Sequence, residues 1–286
     1  MLTCFRDAPA LDDLDRRAAV FSHELLEHPA LSLQNLAKAL PALPRDQVFH
    51  SSGRLDMSDD FDRAHLDKTN GLTLRETLED IKTSSSYIMV RSPETDPSFR
   101  DLHRQLMADV GELMRRRGVG RAPHEPMLYL FIASPGSVTP FHVDRYSTFL
   151  MQFRGTKQVS VFPMWDPRVV PADELEAFMA KRGVRPRYRP ESEPLGTVFD
   201  FAPGQAMHIP FMAGHWVKNG AEDVSISMSI IFNTDETVAI SNAMRVNDRL
   251  RRLGLSPRPA RDAGPRELGK SYLYRAWGRA RRALGR

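Results

Sequence analysis

From Met127 onward the hydrophobic period of this chain changes from helical to strand-like, and the change limits the folds open to it. MLYLFIAS, SVTPFHVD, STFLMQFRG and KQVSVFP are short runs rich in branched and aromatic residues, divided by turn signals. An insert with a probable helix, ADELEAFMAKRG, separates them from GTVFDFAPG, QAMHIPF, GHWVKNG and DVSISMSIIF. Eight such segments, closing near Phe232, predict a mainly β core built as a barrel or jelly-roll sandwich. In the last run Val224, Ile226, Met228 and Ile230 alternate with Ser225, Ser227 and Ser229. A strand with one apolar and one polar face inside such a fold calls for a ligand cavity.

The flanks read as helical. Leu14, Ala18, Phe21, Leu25 and Leu26 stand at helical spacing within residues 11 to 28, which predicts a helix stopped by Pro29. A short helix follows with Ser32 as N-cap. It is not half of a helix-turn-helix, because PRDQVFHSSG is too short and too broken to supply the second helix. Residues 45 to 72 are polar and irregular. A short helix capped by Thr73, a strand carrying Tyr87, and an amphipathic helix with Leu102, Leu106, Val110 and Leu113 on one face come next; Gly118 ends the last of these. After Asn233 the chain turns helical again. A Pro-rich linker then leads to a final helix.

Charge is uneven along the chain. Residues 245–286 carry 13 Arg or Lys against 3 Asp or Glu, a net of +10 in a chain whose formal total is +4. The body is therefore acidic, and the basic tail suits an acidic surface: a partner chain, anionic lipid heads or nucleic acid. Cys4 is the single cysteine, so no disulfide framework and no cysteine-based zinc site forms within one chain. That usage suits a reducing cytoplasm. No signal-peptide core and no apolar run of about 18 residues is present, so no membrane span is expected.

The chemistry-bearing residues lie among the strands. His142 and Asp144 form a His-x-Asp step, and residues i and i+2 of a strand share a side. Taken alone, such a step also describes a surface or hydrogen-bonded pair. PGQAMHIPFMAGHW adds His215, 71 residues after Asp144. Two imidazoles and a carboxylate that leave metal positions open are the donor set of non-haem Fe(II) oxygenases, and zinc accepts the same donors. Lys157 follows fifteen residues after His142. In an apolar barrel its cation is costly unless paired. A dicarboxylate such as 2-oxoglutarate supplies the pair, with the Thr139 hydroxyl beside it. The alternative is an exposed turn lysine after Gly155. His208 reads as a strand residue rather than a fourth ligand.

MLYLFIASPGSVTPFHVD, FLMQFRGTKQVSVFP, PGQAMHIPFMAGHWV and SISMSIIF together resemble the JmjC or cupin-like Fe(II)/2-oxoglutarate oxygenases, and in particular the asparaginyl-hydroxylase branch. The resemblance covers about residues 84 to 235. It implies a double-stranded β-helix (jelly-roll or cupin barrel) with flanking N- and C-terminal α-helices. It implies His142, Asp144 and His215 as ligands of Fe(II), and Lys157, Thr139 and Tyr87 as holders of the 2-oxoglutarate tail. Gln205 stands where the family often has Asp, Ala213 and Gly214 where aromatics are usual, and Ser229 where some members have Asn. These departures concern the substrate pocket and the cosubstrate packing more than the metal set.

The expected organisation is an N-terminal helical or mixed flank over 1–120, a catalytic barrel over 121–236 and a basic helical region over 237–286. The expected activity is hydroxylation of an unactivated C–H in a peptide side chain or small molecule. It consumes O2 and decarboxylates 2-oxoglutarate to succinate. Arg145, Gln152 and Trp216 stand where substrate can touch them. The alternatives are a lysine demethylase using the same chemistry and a regulatory protein that binds partners or DNA through its tail. The C-terminal helices suit a homodimer. The final helix, with Leu273, Trp277 and Leu284 among arginines, also fits a membrane surface.

Overall fold

Two antiparallel sheets face each other in the computed structural model, which describes residues 2–6, 13–61 and 71–283. The larger has seven strands: β1 (Ala19–Ser22), β9 (Gln205–Ile209), β6 (Ser147–Arg154), β11 (Ser225–Asn233), β4 (His124–Ala133), β3 (Ser86–Arg91) and β2 (Val48–Ser52), in that order. The smaller runs β5 (Val138–Val143), β10 (Gly214–Asn219), β7 (Lys157–Val161) and β8 (Thr197–Phe201). From β4 to β11 the strands alternate between the sheets except at β7 and β8, which pair within the smaller one, the wrapping of a jelly-roll double-stranded β-helix, with helices on the outside. The eight runs recognised by their period form β4 to β11.

Alternation along each strand sorts residues between two environments. On β11, Ile226, Met228 and Ile230 face outward into a core shared with Leu128 and Leu130 of β4. That core is completed by Leu102, Leu106 and Val110 of an 18-residue helix, Arg100–Arg117. Gly118 ends this helix at φ 68°, a left-handed turn that glycine adopts without strain. Ser227 and Ser229 face inward, toward the space between the sheets. Leu150, Val159, Phe201, Met207 and Val217 close one end of that space.

Numbering the helices in chain order, α1 (Leu33–Ala39) takes Ser32 as N-cap and α2 (Leu74–Glu79) takes Thr73 in a capping box with Glu76. Helix α3 is Arg100–Arg117, and α4 (Ala172–Met179) lies in the insert after β7. Helix α5 (Asp235–Arg252) packs with α4 over the outer face of the smaller sheet, where Ile240 and Met244 join Phe141, Phe162, Phe178 and Trp216. Helix α6 (Pro265–Ala283) lies against α5 through Ser271, whose Oγ accepts from Asn242 at 3.0 Å. Its other side exposes Leu268, Tyr272, Leu273 and Trp277, with Arg249 lying 3.9 Å above the Trp277 ring. Leu284 lies outside the described residues. No helix among the described residues is long and apolar enough to cross a membrane.

Two flanking segments depart from the sequence reading. The apolar spacing of residues 13–28 serves an edge strand, β1, rather than a helix; residues 11 and 12 lie outside the description. The side chain of Phe21 explains the outcome, because it packs edge-on against Phe5 and Phe149 at 5.4 and 5.3 Å. Pairing with β9 and burial of that ring outweigh local periodicity. Within the polar stretch 45 to 72, β2 pairs with β3 at the far edge, and only Ser51 of its five residues is buried.

Candidate active site

His142 on β5 and His215 on β10 are register partners across neighbouring strands, and their rings lie 4.1 Å apart, centre to centre. Asp144 stands one residue beyond the end of β5 and two after His142, and both side chains line the same cavity. Its Oδ2 lies 3.7 Å from His142 Nε2 and 3.8 Å from His215 Nε2. One donor atom from each of the three lies within 4.8 Å of the others.

Both imidazoles are held in one tautomer. His142 Nδ1 donates to the Pro140 carbonyl at 2.8 Å and His215 Nδ1 to the Ala213 carbonyl at 3.1 Å. A carbonyl only accepts, so both protons sit on Nδ1 and both Nε2 lone pairs face the cavity. Burial and the neighbouring His215 push His142 down to about 3, and burial lowers His215 as well. Neutral imidazoles are the ligating form. For Asp144, burial alone favours the protonated acid. The two imidazoles and the Arg185 guanidinium outweigh it, and the carboxyl lies below its ordinary value. The donor types, their free lone pairs and their convergence fit a divalent metal ion.

Arg185 is the member of this constellation that sequence reasoning missed. It lies in the loop after α4, far from the motifs, and nothing in its local sequence marks it. Its guanidinium donates to Asp144 Oδ1 at 3.2 Å and to the Val143 carbonyl, leaving Oδ2 turned to the histidines. It also sits 4.7 Å above the ring of Phe61, which stacks on His142 at 4.1 Å and 18°. Carboxylate and imidazole are each held by a second neighbour.

A cavity of about 390 Å³ joins the three donors to the other expected residues. Tyr87, Thr139 and Lys157 all line it, with Ser227 and Ser229 of β11. The Tyr87 hydroxyl is hydrogen-bonded to Thr139, and burial raises its pKa. Thr139 and His142 are three apart and would face opposite ways on a regular strand. A bulge in β5, two residues opposite Trp216 alone, brings both inward. Lys157 is 6% exposed and donates from Nζ to Asn219 Oδ1 at 2.5 Å. It is no turn lysine. Burial brings it down to about 7.

Three residues named as possible substrate contacts separate clearly. Arg145 lines the cavity; it donates to the Phe178 carbonyl and covers that ring at 3.7 Å. Trp216 faces the other way, into the core beneath α4 and α5, because it alternates with His215. Gln152 is fully buried and ties Arg154, Gly155 and Ser225 together. Gly214 is explained by packing: a Cβ there would lie 2.6 Å from the Phe141 ring. An aromatic at that position has no room.

No family model and no curated protein matches the sequence. Among solved structures, the chain is similar to the Escherichia coli ribosomal oxygenase YcfD, at 16% identity over 96% of this chain and 68% of that one, with a TM-score of 0.47. YcfD has also been solved with cobalt and succinic acid; that structure matches at 16% identity over 92% of this chain and 63% of the other, with a TM-score of 0.42. Bacillus subtilis oxalate decarboxylase matches at 15% identity over 46% of this chain and 29% of its own, with a TM-score of 0.26. At such identities the function has to rest on the residues of this chain.

Proposed function

We propose that this chain is an Fe(II)- and 2-oxoglutarate-dependent oxygenase that hydroxylates an unactivated C–H bond. One observation carries the reading: a single cavity holds an open His–His–carboxylate set and, separately, a buried lysine beside a tyrosine–threonine pair. Metal chemistry alone needs only the first. A buried ammonium with one amide partner is an incomplete arrangement, and the far carboxylate of 2-oxoglutarate completes it.

His142, His215 and Asp144 would hold the metal on one side, leaving its other positions to the keto-acid end of the cosubstrate and to oxygen. Bound Fe(II) supplies the redox step, in which one atom of O2 enters succinate as CO2 leaves and the other is inserted into the substrate C–H. The protein orients and protects. Lys157 holds its proton against the dicarboxylate, and Thr139 and Tyr87 bring hydroxyls to the same end. Arg185 keeps Asp144 turned so that one oxygen faces the histidines. Phe61 covers His142 and excludes water from that face. The likeness to asparaginyl hydroxylases is a reading of motifs and does not select a substrate.

Two measurements test this. 2-Oxoglutarate should bind the Mn(II)-loaded protein in calorimetry, and no binding overturns the proposal. With Fe(II), succinate formation should appear in wild type and vanish in His142→Ala; equal turnover in both sinks the assignment.

A further inference from the structure

We propose that the substrate of this site is anionic, and that Arg91 receives its carboxylate or phosphate group at the rim of the cavity. The inference rests on the oxygenase reading above and adds the substrate class to it. Arg91 ends β3 on the same inward face as Tyr87 and Met89, all three lining the cavity. Four residues of strand separate it from Tyr87, about 13 Å at the usual rise. One strand therefore runs from the cosubstrate end to the rim. Tyr129 of β4 is the register partner of Arg91. Burial raises the pKa of Tyr129, and Arg91, Asp144, Tyr146 and Arg185 all lie close enough to act on its charge. Arg91 thus shares one cavity with Asp144 and lies a strand's length from Tyr87 at the cosubstrate end.

Arg91 is exposed, and among the described residues its side chain makes one hydrogen bond, from Nε to Met127 Sδ at 3.4 Å. A thioether is a weak acceptor and carries no charge. The two terminal nitrogens form the planar fork that matches a carboxylate or phosphate. The cavity as a whole has the same sign. Among the described residues that line it, Arg91, Arg145, Lys157 and Arg185 are cationic and Asp144 is the acidic side chain. A divalent metal and the dicarboxylate cosubstrate cancel one another, so this excess stays when both are bound. Residues 62–70, which follow Phe61, carry Asp62 and Asp67 against Arg63 and Lys68 and sum to zero. Within low-dielectric walls such an excess concentrates anions and repels cations. A methylated lysine side chain is the wrong sign for it, which ranks demethylation below hydroxylation.

The test uses four capped amino acids as probes: N-acetyl amides of aspartate, asparagine, phosphoserine and lysine. Each is titrated by calorimetry into protein loaded with Mn(II) and 2-oxoglutarate. At least one acidic probe should bind about tenfold tighter than the asparagine probe, the scale of one charge-assisted hydrogen bond. Whether aspartate or phosphoserine leads tells carboxylate from phosphate. Arg91→Gln should remove the preference, while Arg100→Gln, at the exposed start of α3, should keep it. Equal binding of all probes, no binding of any, preference for lysine or asparagine, or a preference that survives Arg91→Gln overturns the proposal. Failure of 2-oxoglutarate to bind counts against the oxygenase reading instead. The same probes are then titrated into the protein loaded with Mn(II) alone.

Discussion

Two buried histidine–aspartate clusters lie in this molecule, and they differ in what their nitrogens lack. Around His142 and His215, each Nδ1 is satisfied by a carbonyl, and each Nε2 faces a cavity with the Asp144 oxygen no nearer than 3.7 Å. Around His208, both nitrogens are used: Nδ1 meets the Thr148 carbonyl at 3.2 Å, and Nε2 accepts from the Asp15 amide at 2.9 Å. The Asp15 carboxylate accepts in turn from Ser147 Oγ at 2.7 Å and the Phe211 amide at 2.9 Å. Residue types are nearly the same and the histidines are buried in both, while the Asp144 side chain is 29% exposed against 6% for Asp15. One cluster is a site because its valences are left open, and the other fastens the N-terminal segment to β6 and β9 because its valences are filled.

The largest effect expected from breaking this comparison is at the open cluster. His142→Ala should weaken Mn(II) binding about a hundredfold or more in calorimetry, since ligand count sets affinity. Its thermal midpoint should fall less than that of Asp15→Ala, because the change strands a single acceptor, the Pro140 carbonyl, and no buried donor. Asp15→Ala should do the reverse. It strands buried donors on Ser147 and Phe211, costing about 3 kcal/mol in denaturant unfolding, and should leave Mn(II) affinity alone. A stability loss at His142 as large as that at Asp15, or a metal loss at Asp15, would merge the two classes.

Arg185→Gln sharpens the contrast from the second neighbour. It should lower Mn(II) affinity about tenfold, the usual cost of freeing a ligand from its support. The smallest effect is a proton. Burial brings Lys157 in the folded protein down to about 7 from its ordinary 10.5. Between these values the unfolded chain binds the extra proton, so the ligand-free protein gains stability as pH rises through that window and loses it as pH falls toward 7. The dicarboxylate needs the ammonium, so its binding at pH 8 should take up close to one proton. Calorimetry in buffers of different ionisation enthalpy reads that uptake directly, and Lys157→Met should abolish it.

The central strands were legible because β4 to β11 alternate residue by residue between core and cavity, as in Ser227, Met228 and Ser229. The three proposed metal donors could be picked out because two of them fall in one short motif and the third in a turn-rich run of its own, and the fold brings them together. Lys157 was legible as a position, but its burial was not; that depends on Asn219 and Phe201 on neighbouring strands. Arg185 and Arg91 were illegible as site residues. One reaches Asp144 from a loop 41 residues on, and the other becomes a rim residue only when β3 joins β4. Strand β1 was misread because Phe21 obeys a contact with Phe149 that lies 128 residues away. Trp216 and Gln152 were placed near substrate by proximity in sequence to His215 and the strands; alternation turns Trp216 away, whereas Gln152 follows Thr148 and Leu150 on the cavity side of β6 but lies at its far end, bonded to Arg154, Gly155 and Ser225.

The extra residue in β5 sets the phase between two binding tasks carried by one strand. In the proposed function His142 serves the metal and Thr139 the cosubstrate, and the bulge at Pro140 and Phe141 is what lets an odd spacing bring both into one chamber. Removing a single residue there would leave His142, Asp144 and His215 in register while rotating Thr139 out toward α4 and α5. Such a deletion would uncouple loading of the ion from capture of its cosubstrate, making the strand an interlock whose two halves can be separated by one peptide unit.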